Sequence, residues 1–340
     1  GFPFSDEIGV DGTEIGLFAL TEDGLDPTGE RLDLMARPKR ARFLPGGTHV
    51  LVLSEDGVLQ TVQVEGEGAP AIVSSIALDG VGWTDLVVDP DGQHVHAIRH
   101  DVTEAAGVFT LEVGCEGVLS PLPTHLGLRL AASLALVPGQ PDRALLLGGQ
   151  AVFDPIDDND TRWLKRTADG GFAQAAAFDL WSDFVDTAGI DISPDGRFAL
   201  VPNGSPLSDE GGQVMVVALD GDTARDAARI EGMDDARVAR FHPNGTALVT
   251  RLEPGRVSVL LEDGGAFSVV DELRYGLPED LAIVTRGALD GMVVLPAVSG
   301  STGPQLIALR IDGPGEVREV AVLPLPSGGQ NIPGTVAVAP

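Results

Sequence analysis

The sequence predicts an all-β protein in which similar four-stranded sheets form the blades of a β-propeller. The first observation is a recurring phrase in which an apolar run ends in Pro and Gly and a second apolar run follows at once. The prolines of this phrase are Pro45, Pro90, Pro138, Pro194 and Pro243, so the steps are 45, 48, 56 and 49 residues. Repeats of this length that contain several short strands are typical of propeller blades.

The second observation is the pattern within one repeat. Lys39–Leu44 leads through Pro45 to Thr48–Leu53, and an Asp-Gly turn then leads to Val58–Val64 and to Ala71–Leu78. Asp-Gly between two such runs is a strong hairpin signal. The first two runs are apolar on both faces, as expected for strands covered by neighbouring sheets on both sides. Since no apolar pattern of helical period is sustained over a dozen residues, we expect helices to be minor.

The repeats divide the whole chain, 1–340, into the blades of one domain. Six complete blades are predicted over 39–78, 83–122, 129–179, 186–231, 235–273 and 279–325. Residues 330–340 look like a first strand, and residues 1–36 contain runs that look like third and fourth strands. A ring closed by strands from both termini has no exposed sheet edges. The sequence therefore predicts a seven-bladed propeller whose last blade combines 330–340 with 1–36.

The charge of the chain is strongly acidic. It has 51 acidic and 22 basic residues, for a formal net charge of -29. Such a charge repels nucleic acids and anionic lipid surfaces, and it favours solubility and cation binding. There is no apolar run of about 18 residues, so no transmembrane segment is predicted. We expect a monomer that binds a small molecule or a protein.

The cysteine content and the first residues bear on location. Cys115 is the only cysteine, so no intrachain disulfide can form, although secretion is still compatible with the sequence. The sequence begins Gly1-Phe2-Pro3 without a methionine. We interpret it as a chain from which a targeting segment has been removed, and we expect a bacterial protein that is periplasmic, secreted or lipid-anchored.

One stretch of the sequence resembles a known family. Ser193–Gly204 reads SPDGRFALVPNG, and Gln213–Asp220 follows as QVMVVALD. This stretch resembles the repeat of YVTN-type seven-bladed propellers and the lactonase-type propellers related to 6-phosphogluconolactonase. The resemblance is at the level of the repeat. It implies a seven-bladed ring, and it makes lactone hydrolysis the activity to consider.

Candidate binding residues lie on the loops that lead into the first strands. In a propeller these loops gather at one face of the ring, here called the top face, around the mouth of the central channel. Loops held by a rigid scaffold often carry function. The candidates on this face are Lys39, Asp85, Arg129, Asp186, Asp235 and Asp280. Carboxylates from several blades could hold a calcium ion, or they could form a solvated acidic rim.

A basic segment and a histidine-rich strand supply the catalytic candidates. Arg37 and Arg40 belong to a run of four basic residues in a strongly acidic chain, so they could bind an anionic ligand or pair with acidic loops. His100 and Asp101 fall at the top-face end of their strand, whereas His96 is predicted to lie inside the blade. No Gly-x-Ser-x-Gly or His-Glu-x-x-His motif is present.

An acidic segment in the third blade is a possible calcium site. Its candidate ligands are Asp154, Asp157, Asp158 and Asp160. The spacing does not match an EF-hand loop, and a solvated acidic loop is the alternative.

The sequence favours a non-catalytic function, because no specific catalytic motif occurs in it. The leading hypothesis is an extracytoplasmic propeller that presents a ring of loops for binding. The alternative is a lactonase-like hydrolase acting on a sugar lactone at the top-face channel mouth. In that case a cation or His100 would activate water beside Arg37 or Arg40.

Overall fold

A computed structural model describes residues 13–64, 69–101, 103, 105–148, 160–180, 187–205, 211–299, 303–325 and 335–339. Nearly all the regular structure in these ranges is β-strand. The helical content of the described chain is one 3-10 turn at Cys115–Gly117. The prediction of an all-β protein is confirmed. None of the described segments forms a helix long and apolar enough to cross a membrane.

The described chain begins with a hairpin, which is followed by three four-stranded sheets. The hairpin consists of β1 (Glu14–Thr21) and β2 (Gly24–Asp33). The three sheets contain β3 (Pro38–Phe43), β4 (His49–Ser54), β5 (Val58–Gln63) and β6 (Ala71–Ala77); β7 (Trp83–Val88), β8 (His94–Arg99), β9 (Gly107–Val113) and β10 (Leu119–Gly127); and β11 (Ala131–Val137), β12 (Gln140–Gly148), β13 (Thr161–Arg166) and β14 (Phe172–Phe178).

Three further sheets complete the described chain. They contain β15 (Asp191–Ile192), β16 (Phe198–Asn203), β17 (Gln213–Asp220) and β18 (Thr223–Glu231); β19 (Ala236–Phe241), β20 (Thr246–Arg251), β21 (Arg256–Asp263) and β22 (Ala266–Arg274); and β23 (Leu277–Pro278), β24 (Ala282–Ile283), β25 (Met292–Ser299), β26 (Gly303–Gly313) and β27 (Glu316–Pro324). The last of these sheets has five strands because β23 and β24 both pair with β25.

The recurring Pro-Gly phrase forms the turn between the first two strands of a blade. In four blades the amide of the turn glycine donates a hydrogen bond to the carbonyl three residues earlier, as Gly92 does to Asp89 at 2.9 Å. Gly92, Gly196 and Gly245 have φ angles of 72, 73 and 90°. Since L side chains rarely adopt this conformation, the phrase needs glycine at that position, and Pro at the second position presets the turn.

The sheets pack face to face, and their first strands surround an axis. The first strand of each blade contacts the first strand of the next, from β3 through β7, β11, β15 and β19 to β24. Each hydrophobic cluster combines side chains from two adjacent sheets. One of them joins Leu51 and Leu59 of the first sheet to Trp83, Leu86 and Leu111 of the second. Burial on both faces explains why second strands such as β4 carry apolar side chains on both of their faces.

The predicted count of seven blades is wrong, because the structure describes six complete blades. The place of a seventh, between the sixth blade and the first, holds the two-stranded hairpin and residues 335–339. Leu32 of the hairpin and Ala337 both pack against the first blade, and Leu20 and Val338 pack against the sixth. Residues 335–339 form no strand and pair with none of the described strands, and a cavity is lined by both this segment and the hairpin. Residues 1–12 and 326–334 lie outside the described residues.

Candidate functional site

The carboxylate of Asp85 lies near the axis of the ring and connects two blades. This residue lies in β7 and is 2% exposed. Its Oδ1 accepts a hydrogen bond from the amide of Leu86 at 2.9 Å. Its Oδ2 accepts from the hydroxyl of Ser133 at 2.7 Å and from the amide of Leu134 at 3.3 Å, both in the third blade. The carboxylate therefore joins two adjacent blades.

Other inner-strand oxygens repeat this arrangement around the axis. The Ser133 hydroxyl accepts from the amide of Ile190 at 3.2 Å, and Asp191 Oδ2 accepts from the amide of Phe241 at 2.7 Å. Thr335 Oγ1 donates to Asp280 Oδ2 at 2.9 Å and accepts from the amide of a first-blade residue, Ala41, at 3.2 Å. Residue 335 thus connects the sixth blade to the first.

Arginines balance part of this buried negative charge. Arg42 Nη2 lies 3.7 Å from Asp85 Oδ1, and Arg42 Nη1 lies 4.0 Å from Asp280 Oδ2. Burial opposes ionisation of Asp280, but the positive charges of Arg42, Arg40 and Arg240 hold its pKa below the usual range. The sequence predicts Asp85 and Asp280 on top-face loops, whereas the structure buries both carboxylates at the axis, where each accepts hydrogen bonds.

This buried charge predicts a particular pH dependence of stability. Because the folded-state pKa of Asp280 is lowered, its ionised form stabilises the fold above the unfolded pKa, and this contribution is lost as the pH falls through the folded value. We expect Asp280→Asn to lower the free energy of unfolding most at pH 7, with a smaller difference from the native protein at about pH 3. Urea unfolding at both pH values measures this. A difference that stays constant with pH would contradict it.

The hairpin of β1 and β2 and residues 335–339 together form what we call the closing sector. A cavity of about 860 Å³ opens between the axis and this closing sector. Its polar lining includes residues at the start of the first strands, and its apolar lining includes residues of β1, β2 and 335–339. The cations that line it are Arg31, Arg37, Lys39, Arg40 and Arg237, and the acids are Glu14, Glu55 and Glu279. Residues at the start of the first strands and between the second and third strands line its top-face end, and Phe43, Val50 and Leu289 line it toward the opposite face.

One repeat position supplies lining residues to the cavity from several blades. Lys39, Thr84, Ala188 and Arg237 each stand six residues before the turn proline of their blade, and all four line the cavity. Glu279 has the corresponding position in the sixth blade, since Asp280-Leu281 matches Asp85-Leu86. Our sequence candidates omitted Arg237. The signal for Arg237 is its position six residues before Pro243, which matches the position of Lys39 before Pro45.

The cationic side of the cavity has two unusual side chains. Burial, followed by the positive charge of Arg40, lowers the pKa of the Lys39 ammonium against the opposing charges of Glu55 and Glu279. Arg40 is 5% exposed and donates to the carbonyls of Lys39 and Ala188 at 3.0 and 2.8 Å. Its Nε has no hydrogen-bond partner in the described chain, and it lies 4.0 Å from Asp85 Oδ1.

The remaining catalytic candidates lie away from this cavity. His100 and Asp101 are not among the residues that line it. Asp101 accepts hydrogen bonds from the Thr103 amide at 3.1 Å and from Arg99 Nη2 at 2.9 Å, so its carboxylate stabilises a local turn.

The other binding candidates are more scattered. Arg129 is exposed and does not line the cavity. Asp235 forms an ion pair with the cavity residue Arg237 at 2.9 Å. Asp160 is 7% exposed and accepts from the Leu180 amide at 3.1 Å, so one of the four proposed calcium ligands has a structural role. Asp154, Asp157, Asp158 and Asp186 lie outside the described residues.

Comparison with known proteins identifies similar folds. The chain matches no protein-family model and no curated protein. A functionally unknown protein from Desulfotomaculum acetoxidans is 15% identical, with a TM-score of 0.70 and 96% of each chain covered. A periplasmic gluconolactonase from Pseudomonas aeruginosa is 16% identical, with a TM-score of 0.68 and 92% of each chain covered.

A third similar structure, from Bacteroides fragilis, is provisionally assigned as a 6-phosphogluconolactonase. It is 12% identical, with a TM-score of 0.67, and 95% of this chain and 96% of that one are covered. At these identities the likeness shows the fold alone. The chain has a lactonase-like β-propeller fold.

Proposed function

We propose that the protein hydrolyses a sugar lactone in the top-face cavity. The observation that carries this proposal is the cluster of Lys39, Arg40 and Arg237 beside Glu279 in a cavity large enough for a sugar ring. The proposal is supported by the fold, since one similar structure is a gluconolactonase. It replaces our leading hypothesis of a non-catalytic scaffold, because the similar folds favour the hydrolase alternative.

The reaction needs a base, a group that stabilises an oxyanion and a proton donor. Water adds to the lactone carbonyl carbon, the ring C–O bond breaks, and the proton taken from water ends on the ring oxygen. We assign Glu279 as the base that takes the proton from water. His100 does not line the cavity, so it does not fill this role.

The cations of the cavity fit the other two requirements. Arg40 lines the cavity with a buried guanidinium, and a fixed positive charge of this kind stabilises a developing oxyanion. The lowered pKa of Lys39 makes its ammonium a better proton donor to the departing ring oxygen. Hydroxyl and carboxylate groups of a sugar acid can also bind Arg237, as guanidinium forks suit such groups.

A rate assay with matched lysine variants tests the proposal. We expect the protein to accelerate hydrolysis of glucono-1,5-lactone, or of its 6-phosphate, above the buffer rate in a pH-stat. Lys39→Met and Glu279→Gln should each lower kcat by at least about 100-fold, because each removes a proton-transfer group. Lys165→Met is the control, since Lys165 lies on β13 and pairs with Asp222 at 2.7 Å, away from the cavity. Its activity should equal that of the native protein.

Two results would contradict the proposal. One is hydrolysis that survives both cavity variants, which would place the reaction elsewhere. The other is no acceleration over buffer. If the lactone then still binds and Lys39→Met weakens its binding, the cavity is a binding site without catalysis.

The location remains a prediction, and we propose an extracytoplasmic one. A similar fold is found in a protein described as periplasmic. Fractionation of cells that express the full-length gene, with detection by antibody, tests this. Recovery in the cytoplasmic fraction alone would contradict it.

A further inference from the structure

The turn between β7 and β8 collects one imidazole and two carboxylates. Asp89, Asp91 and His94 each offer a ligand atom, and these atoms all lie within 4.8 Å of one another. Asp89 is buried, His94 is half-buried and Asp91 is exposed. The turn belongs to the Pro-Gly phrase, so it lies at the face of the ring opposite the residues that begin the first strands, such as Lys39 and Arg237.

The two oxygens of Asp89 have different surroundings. Oδ1 accepts a hydrogen bond from Arg166 Nη2 at 2.6 Å and lies 3.0 Å from His96 Nε2. Oδ2 faces His94 Nδ1 at 3.3 Å and accepts no hydrogen bond from the described residues. Carboxylates that bind metals are commonly held by such hydrogen bonds through their other oxygen.

The ring of His94 is oriented by its neighbour in the third blade. The Nε2 edge of the His94 ring packs directly against Gly170, because a Cβ added to this glycine would lie only 2.2 Å from Nε2. The other nitrogen, Nδ1, is buried, and within the described chain it has no hydrogen-bond partner. A buried polar atom without a partner is costly, and binding a metal would satisfy it.

The same turn in the fourth blade shows how the second blade differs. There Asp195 has the position of Asp91, and it pairs with Arg197 and accepts a hydrogen bond from Ser193 Oγ at 2.7 Å. In the second blade the position of Arg197 is taken by the neutral Gln93. Within the described ranges the Asp91 carboxylate accepts one hydrogen bond, from the Gln93 amide at 2.9 Å. Its charge has no cationic partner among the described residues.

We propose that Asp89, Asp91 and His94 Nδ1 bind a zinc ion, with water completing the coordination. Imidazole with carboxylate oxygens suits zinc, whereas calcium prefers oxygen ligands alone. The net charge of -29 raises the local concentration of cations around the protein. This site is separate from the proposed lactonase cavity and does not depend on it.

Calorimetric titration of the metal-free full chain with zinc chloride tests the site. We expect His94→Phe and Asp91→Asn each to weaken the binding of one zinc ion by at least about tenfold, because each removes a ligand. Asp195→Asn is the matched control, since it changes the equivalent turn of the fourth blade, and it should bind zinc as the native protein does. Asp91 is exposed, so Asp91→Asn also covers the case in which His94→Phe folds poorly.

A second control concerns the acidic segment of the third blade. A variant with Asp154, Asp157 and Asp158 changed to Asn should keep the zinc affinity of the native protein. If zinc does not bind to the native chain, or if His94→Phe and Asp91→Asn bind it as tightly as the native chain, the proposal is overturned. The same holds if only the acidic-segment variant loses binding.

Discussion

Replacing Asp85 with alanine should lower the free energy of unfolding by about 3–5 kcal/mol, the cost of removing one partner from a buried ion pair. The carboxylate accepts three hydrogen bonds, two of them from the third blade. It also faces the guanidinium groups of Arg40 and Arg42 at 4.0 and 3.7 Å. In Asp85→Ala, the Ser133 hydroxyl and the Leu134 amide lose a buried acceptor, and the buried Arg40 and half-buried Arg42 lose a counter-charge.

Urea unfolding, followed by fluorescence and circular dichroism, measures the effect. Asp263→Ala is the control, because Asp263 is an exposed carboxylate at the end of β21, and it should change stability by no more than about 0.5 kcal/mol. Asp85→Asn keeps an acceptor oxygen but removes the charge, so it should fall between the two. A loss below about 1 kcal/mol for Asp85→Ala would show that the axis is held mainly by other contacts.

Replacing Trp83 with alanine should cost a similar amount, about 3–5 kcal/mol, the range for a fully buried aromatic side chain. Trp83 is 2% exposed and lies in the cluster between the first and second blades. Its ring meets Phe109 edge-on with centroids 5.0 Å apart, and its Nε1 donates to the Gly80 carbonyl at 3.1 Å. Alanine would leave a cavity between the first and second blades, because the packing contacts of the indole would be lost.

The neighbouring Val81 gives a matched control, since it is 66% exposed. Val81→Ala should lie within about 0.5 kcal/mol of the native protein, and Trp83→Phe should lose less than Trp83→Ala because most of the ring remains. Equal losses for Trp83→Ala and Val81→Ala would contradict face-to-face packing of these two blades.

The repeated turns of the sequence predict the blades well because their chemistry is local. Pro90 and Gly92 specify a turn through the φ angles that they favour, and the same holds for Pro194 and Gly196. The apolar runs on either side then form paired strands. None of this requires knowledge of residues far away in the chain.

The closing sector could not be predicted in the same way. The runs in 14–36 and 334–340 have the character of strands, but their pairing depends on distant residues. Thr335 bonds to the side chain of Asp280 and to the amide of Ala41 rather than to a strand of the hairpin. A strand-like sequence near each terminus is therefore insufficient to predict a complete blade.

The candidate site was predicted in part, for a related reason. Lys39, Arg40 and Arg37 were recognised as a local reversal of charge, and all three line the cavity. Asp85 looked like an exposed acid, because the sequence does not show that Arg42 and Ser133 come beside it when the ring forms. Arg237 lies about 200 residues from Lys39 in sequence, and only the shared repeat position relates them.

The most direct test of this account is a crystal structure of the protein grown with gluconate, the acid formed when gluconolactone is hydrolysed. We expect the sugar acid between Lys39, Arg40, Arg237 and Glu279, with its carboxylate toward the cations. Gluconate bound at another place on the ring, with the cavity filled by solvent, would contradict the proposed site.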